Sequence, residues 1–204
     1  MITIIDFGMG NLASIKNMLK KIGIGSQISS DIEVIGKAEK IILPGVGAFD
    51  NAMTNIDTLG LRDILNQKVI HEKIPVLGIC LGMQILMKSS EEGHLPGFGW
   101  IDGFVKRFRF ENSDASLKVP HMGWNLISTR GNEYLFKGLE DSKFYFVHSY
   151  YVECNNSDNS LATTKYGIEF TSAVQKENIY GTQFHPEKSH KYGMQLLRNF
   201  ATLT

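Results

Sequence analysis

The sequence predicts an α/β fold: an open, mostly parallel, doubly wound sheet in flavodoxin-like layers, with an additional, smaller antiparallel β region. Three observations carry that expectation. The chain opens with a strand, a glycine turn and a helix; strand–helix alternation continues to about residue 88; and the second half changes to short aromatic and β-branched runs.

In order, "MITII" is an apolar strand, "DFGMGN" a turn, and Leu12, Ile15, Met18, Leu19 and Ile22 follow at helical spacing. A strand is expected at "SQIS". In "KIILPG", Ile41, Ile42 and Leu43 form the continuous apolar run of a strand buried on both faces. A helix is expected over Leu61 to Val69. Pro75 opens the strand "VLGI", and a helix should run from Leu81 to about Lys88, ahead of the polar "SSEEG". Beyond it "FVKRFRF", "KFYFVHSYYVEC", "FTSAVQ" and "IYGTQF" read as strands and "CNNSDNSL" as a surface loop. A closing helix, Tyr192 to Phe200, places Leu196, Leu197 and Phe200 on one face. No repeat, low-complexity tract or linker interrupts the chain, so residues 1–204 are expected to form a single domain whose halves share one core.

Composition narrows the function classes. With 43% hydrophobic and 21% charged residues the chain is ordinary for a globular protein. Lys plus Arg and Asp plus Glu each total 21, so no net field recruits nucleic acid or an anionic membrane. No apolar run approaches the roughly 18 residues needed to span a bilayer. "MITIIDFGMG" also lacks the basic stretch, apolar run and cleavage site of a secretion signal. With only Cys80 and Cys154, reduced thiols and a cytoplasmic location are expected.

Three stretches are candidate sites. Gly8, Gly10 and Ala13 satisfy G-x-G-x-x-A between a strand and a helix, with Asp31 further on, which is a dinucleotide-binding pattern. A strand-to-helix turn needs glycine on steric grounds alone, however, and Asp31 in "SSDIE" suits a helix cap. Dinucleotide binding is therefore a distant alternative. The second stretch, "PVLGICLGMQ", holds Gly78-Ile79-Cys80-Leu81-Gly82, the cysteine version of the nucleophile elbow. There the thiol would stand at a helix N-terminus, where thiolate is favoured, and the Leu81 amide would face an oxyanion. Taken alone, the stretch serves equally well as a packing site for a small buried hydrophobe.

The third stretch, "IYGTQFHPEKS", tips the balance towards chemistry. It sets His185 at a strand end and Glu187 two residues on, so that an extended backbone sends both to one side. A carboxylate beside an imidazole fixes its tautomer and leaves the other nitrogen to exchange a proton with a thiol. His121 and His148 sit among aromatics, where packing explains them. His71 and His94 lie in polar stretches, and His190 falls near the start of the last helix. No cluster has metal-ligand spacing, so neither metal nor cofactor is expected.

The ordered motifs "PGVGAF", "PVLGICLGMQ", "VPHMGWN", "YFVHSYY" and "QFHPEKS" resemble the class I glutamine amidotransferases, in particular the glutaminase subunits of imidazole glycerol phosphate synthases. The resemblance spans essentially the whole chain. It implies a Cys80-His185-Glu187 triad that releases ammonia from glutamine through a thioester. It also implies an oxyanion hole from Leu81 with Val46 or Gly47, and a glutamine site at Gly47, Gln84, Glu92, Ser149 and Tyr150. Read blandly, Glu92 is a solvated loop charge and Tyr150 one residue of an alternating strand. The implied partner is a cyclase subunit with a (β/α)₈ barrel, which uses the ammonia in making imidazole glycerol phosphate for histidine synthesis. It would dock at Asn11, Met122, Trp124, Asn125 and Lys188, although Trp124 suits a core position equally well. "GFGWIDGFVKRF" departs from the histidine-pathway pattern at Trp100 and Asp102, and residues 167–200 also resemble paralogues found beside surface-polysaccharide genes. The alternative partner is therefore a sugar-modifying amidotransferase.

Overall fold

The computed structural model describes residues 1–110, 117–130, 134–140 and 142–203. In chain order its strands are β1 (Ile2–Ile5), β2 (Ser26–Ser29), β3 (Lys40–Leu43), β4 (Val76–Ile79), β5 (Ser89–Ser90), β6 (Gly103–Arg107), β7 (His121–Leu126), β8 (Ser128–Thr129), β9 (Lys143–His148), β10 (Tyr150–Cys154), β11 (Ser160–Tyr166), β12 (Ile168–Lys176) and β13 (Ile179–Thr182). The helices are α1 (Leu12–Lys21), α2 (Ile32–Gly36), α3 (Phe49–Thr58), α4 (Leu61–Asn66), α5 (Leu81–Gln84) and α6 (His190–Thr202).

The main sheet runs β2-β1-β3-β4-β13-β12-β10-β6-β5. Its first five strands are mutually parallel, and from β12 onward the pairing turns antiparallel until β5, which runs parallel to β6. β7 and β9 form a separate two-stranded antiparallel ribbon. Alternation along the central strands explains the two layers of helices. Ile5, Ile41, Leu43 and Val76 face α3 and α4 through Phe49, Met53, Ile56, Leu61 and Leu65. Ile4, Ile42, Leu77 and Ile79 face the other way, onto Ile15 and Leu19 of α1 and Leu196, Leu197 and Phe200 of α6. The core lies in two apolar layers on this one sheet, and each layer draws side chains from both halves of the chain.

Some element boundaries move for identifiable reasons. The helix expected to reach Lys88 ends at Gln84. The next carbonyls accept hydrogen bonds from the 97–101 segment instead, Ile85 O from Phe98 N (2.8 Å) and Leu86 O from Ile101 N (3.1 Å). The helix at 61 passes into a π-turn, Gln67–His71. α3, β5, β7, β8 and β11 were not expected: polar residues hide the apolar period of α3, β7 and β11, and β5 and β8 are only two residues long. Among the described residues no helix is long and apolar enough to cross a membrane.

Candidate active site

The parallel strands β3, β4 and β13 deliver Val46–Gly47, Cys80 and His185 to one edge of the sheet, beyond their carboxyl ends, where open α/β sheets place ligands. Cys80 joins β4 to α5 with φ 53° and ψ −107°, a left-handed conformation that a residue with a side chain rarely adopts. Its amide is anchored on Thr182 O at 2.7 Å. The flanking glycines are steric requirements. A Cβ on Gly78 would lie 2.4 Å from Gly82 O, and one on Gly82 only 1.9 Å from Leu43 O. Strand, elbow and helix therefore interlock only without those side chains. Cys80 as a whole residue is 8% exposed and lines the cleft that opens at this edge.

His185, 1% exposed, stands three residues past β13. Its Nδ1 meets Glu187 Oε1 at 2.8 Å, with both side chains enclosed. The extended backbone expected from His185 to Glu187 gives way to a 3₁₀ turn, Pro186–Lys188. Only His185, restricted by the following proline, stays extended, and the turn folds the carboxylate back onto the ring. The loop is pinned by His185 N to Tyr145 O (2.9 Å) and by Ser189 Oγ, which donates to His185 O (2.6 Å) and accepts from Tyr145 N (3.0 Å). Burial alone drives the imidazole towards its neutral form. The Cys80 sulfur and the Glu187 carboxylate overcome it and raise His185 to about 10, so the ring is an imidazolium at neutral pH. Its Nε2 is buried without a hydrogen-bond partner, as is Glu187 Oε2.

A cleft of about 210 Å³ opens on these groups and is lined by Val46, Gly47, Cys80, Leu81, Gln84, Glu92, Ser149, Tyr150 and His185. The structure thus gathers the triad, the loop and the expected glutamine residues into one place, with Glu187 directly behind His185. The Leu81 amide is occupied: it donates to Gly45 O at 3.4 Å, a long bond. Glu92 is not a free loop charge, because Oε2 accepts from Phe49 N at 3.0 Å, and burial holds its carboxyl above the usual carboxylate range. A second cleft of about 210 Å³ contains Cys154, but burial pushes that thiol up to about 11, so it is not a thiolate at neutral pH. The dinucleotide pattern has structural work instead. Asp31 caps α2 by accepting from Glu33 N (2.8 Å) and Val34 N (3.3 Å). A Cβ on Gly10, at φ +97°, would press on Gly45 N at 3.1 Å.

Of the expected docking residues, Met122 and Trp124 are 61% and 45% exposed on one face of β7, so Trp124 is not core. Trp124 stacks on His190 with ring centroids 5.4 Å apart, and Lys188 Nζ sits 5.8 Å above the Tyr145 ring. Asn125 donates to Lys165 O at 3.0 Å, and the exposed Asn11 caps α1. Leu126 extends the apolar row and was missed, since a hydrophobe in a strand carries no mark of exposure. Gln183, Ser189 and the proximity of His148 to the site were missed as well. Gln183 touches the thiol, Nε2 to Cys80 Sγ at 3.6 Å, and its place one residue after β13 was the only available signal.

A family model described as glutamine amidotransferase class-I matches residues 3–203. A protein of Methanococcus maripaludis named imidazole glycerol phosphate synthase subunit HisH 2 is 58% identical over 98% of both chains. One of Leptospira borgpetersenii, named imidazole glycerol phosphate synthase subunit HisH, is 50% identical over the full length of both. A crystal structure described as a glutamine amidotransferase superposes with a TM-score of 0.75 at 19% identity, covering 98% of this chain and 96% of the other.

Proposed function

The chain belongs to the class I glutamine amidotransferases, and from that premise we propose that it is the glutaminase subunit of an imidazole glycerol phosphate synthase, releasing ammonia from glutamine for histidine synthesis. One observation carries the reading: a strained, reachable cysteine and a histidine backed by an enclosed carboxylate share one sheet edge and one cleft.

Cys80 attacks the side-chain amide carbon of glutamine as a thiolate, and the imidazolium of His185 gives its Nε2 proton to the departing ammonia. Water, deprotonated by the now neutral ring, then attacks the thioester. Glutamate leaves and the thiolate is restored. Glu187 holds the ring and stabilises its charged form throughout. The amide of Leu81 and one from Val46 or Gly47 receive the oxyanion. Because Leu81 N–H is held by Gly45 O, the Gly45–Gly47 loop must first shift; Gly47, at φ +133°, and the half-exposed Val46 give it the means. Gly47, Gln84, Glu92, Ser149 and Tyr150 orient the glutamine. Gln84 has both amide hydrogens engaged inward, so it offers the substrate its Oε1 as an acceptor.

Ammonia released into water is protonated and lost as a nucleophile, so the product has to pass directly to the enzyme that uses it. The Met122–Trp124–Leu126 row, with Asn11, Asn125 and Lys188, forms the docking face for the (β/α)₈ cyclase subunit in the cytoplasm. Trp100 and Asp102, which raised the sugar-linked alternative, have local roles. The indole Nε1 donates to Asn66 Oδ1 at 2.8 Å, and the carboxylate accepts from Asn155 and pairs with Lys88, each at 2.7 Å. Glutamate release should be slow for the chain alone, rise on addition of the cyclase, and vanish in Cys80→Ala with the fold intact. Release that survives in Cys80→Ala refutes the triad, and stimulation only by a sugar amidotransferase refutes the pathway.

A further inference from the structure

Gln183 lies on no surface; it is fully buried between β12 and the elbow, its backbone N–H bonded to Ser172 O at 2.9 Å. A buried primary amide has to satisfy its donors and acceptor, and here the partners leave one arrangement. The series starts at the main-chain carbonyl of Tyr150, which can only accept. It receives His148 Nδ1 at 2.7 Å and Gln84 Nε2 at 3.2 Å. Gln84 must therefore present its nitrogen there. The same nitrogen, with its second hydrogen, lies 3.2 Å from the Gln183 amide, which must answer with Oε1. That turns Gln183 Nε2, a donor, onto Cys80 Sγ at 3.6 Å. Reversing either amide would set two donors or two acceptors face to face.

We infer that Gln183 is a positioning residue for the nucleophile: the fixed series from Tyr150 O through Gln84 and Gln183 delivers an N–H to the Cys80 sulfur, holding its rotamer and favouring its thiolate. The inference rests on the reading of Cys80 as the nucleophile. A thiolate accepts this hydrogen bond far better than a thiol or a thioester sulfur does. Gln183 therefore supports the sulfur when it attacks and again when it leaves. The titratable groups facing the sulfur's surroundings are His185 and Glu187 from the loop after β13, His148 on β9, Tyr150 on β10, and Glu92 from the loop after β5. His148 is kept neutral, near 3, by burial, so the imidazolium of His185 and the Gln183 amide are the two favourable partners of a thiolate.

The test compares Gln183→Leu, which removes the donor, with Gln183→Glu, which keeps the shape and places a carboxylate at the sulfur. Alkylation of Cys80 by iodoacetamide is followed against pH in the full chain, and glutamate release is measured in the complex with the cyclase. The pH profile of alkylation should move upward by about one unit in Gln183→Leu and further in Gln183→Glu, as loss of one hydrogen bond to a charged group implies. The kcat should fall about tenfold or more, with the glutamine KM within about twofold, because the contact acts on the reacting sulfur. If Gln183→Leu does not fold, Gln183→Glu carries the test alone. An unshifted alkylation profile in a folded variant, even with lowered thermal stability, overturns the inference. Survival of activity in Cys80→Ala would overturn the underlying reading, so the two failures are distinct.

Discussion

Replacing Glu187 by glutamine keeps the size and shape of the side chain and removes only its charge. In the structure Oε1 lies 2.8 Å from His185 Nδ1, and the two side chains are 2% and 1% exposed. At that separation and an effective dielectric near 20, the Coulomb attraction of an imidazolium–carboxylate pair is about 6 kcal/mol. A hydrogen bond to a charged group contributes about 1.5–3 kcal/mol net. The part that matters for catalysis lies between these figures, so kcat should drop by roughly 10- to 10⁴-fold. His185 should also titrate below its present value of about 10, because one of the two groups that raise it is gone. The assay is glutamate release in the assembled complex, paired with an NMR titration of the His185 ring. Ammonia-driven turnover by the partner should be untouched, which separates a chemical defect from a docking defect. A kcat within about threefold of the unmodified chain, with an unchanged His185 titration, would show that the carboxylate neither holds nor charges the ring.

The docking face should contain a hot spot: Trp124→Ala is expected to weaken cyclase binding by about 2 kcal/mol or more, measured by calorimetry, with thermal stability unchanged because the indole is half-exposed. The raised titration of His185 also predicts a pH dependence of stability. The folded chain holds that proton more tightly than the unfolded one, so the contribution is fully present below pH about 6.5 and is lost as pH rises through about 10. Urea unfolding across that window should show a steeper loss in the unmodified chain than in Glu187→Gln, which lacks the carboxylate that helps raise the ring. Equal slopes would contradict the pairing.

The sequence carried the parallel half of the fold because its strands are unbroken apolar runs, and burial on both faces leaves such runs little other use. It carried the elbow because Gly78 and Gly82 are demanded by contacts of 2.4 Å and 1.9 Å that no side chain could survive. It failed where tertiary partners override local pattern. The helix after Cys80 is cut short by the 97–101 segment, and the His185–Glu187 contact is made by a turn rather than along a strand. Trp124 could not be placed from its identity, since an exposed aromatic and one in a core look the same in one sequence. Gln183 was invisible for a different reason. Its role exists only through an amide whose orientation is dictated by a carbonyl more than thirty positions earlier, at Tyr150.

In the proposed reaction Cys80 forms the covalent intermediate. Intact-mass and peptide mapping of the chain, acid-quenched during turnover of glutamine in the presence of the cyclase, measures this directly. A glutamyl adduct is expected on the peptide bearing Cys80 and none on the Cys154 peptide, with no adduct anywhere in Cys80→Ala. An adduct on another residue, or glutamate release from Cys80→Ala at an undiminished rate, would contradict it.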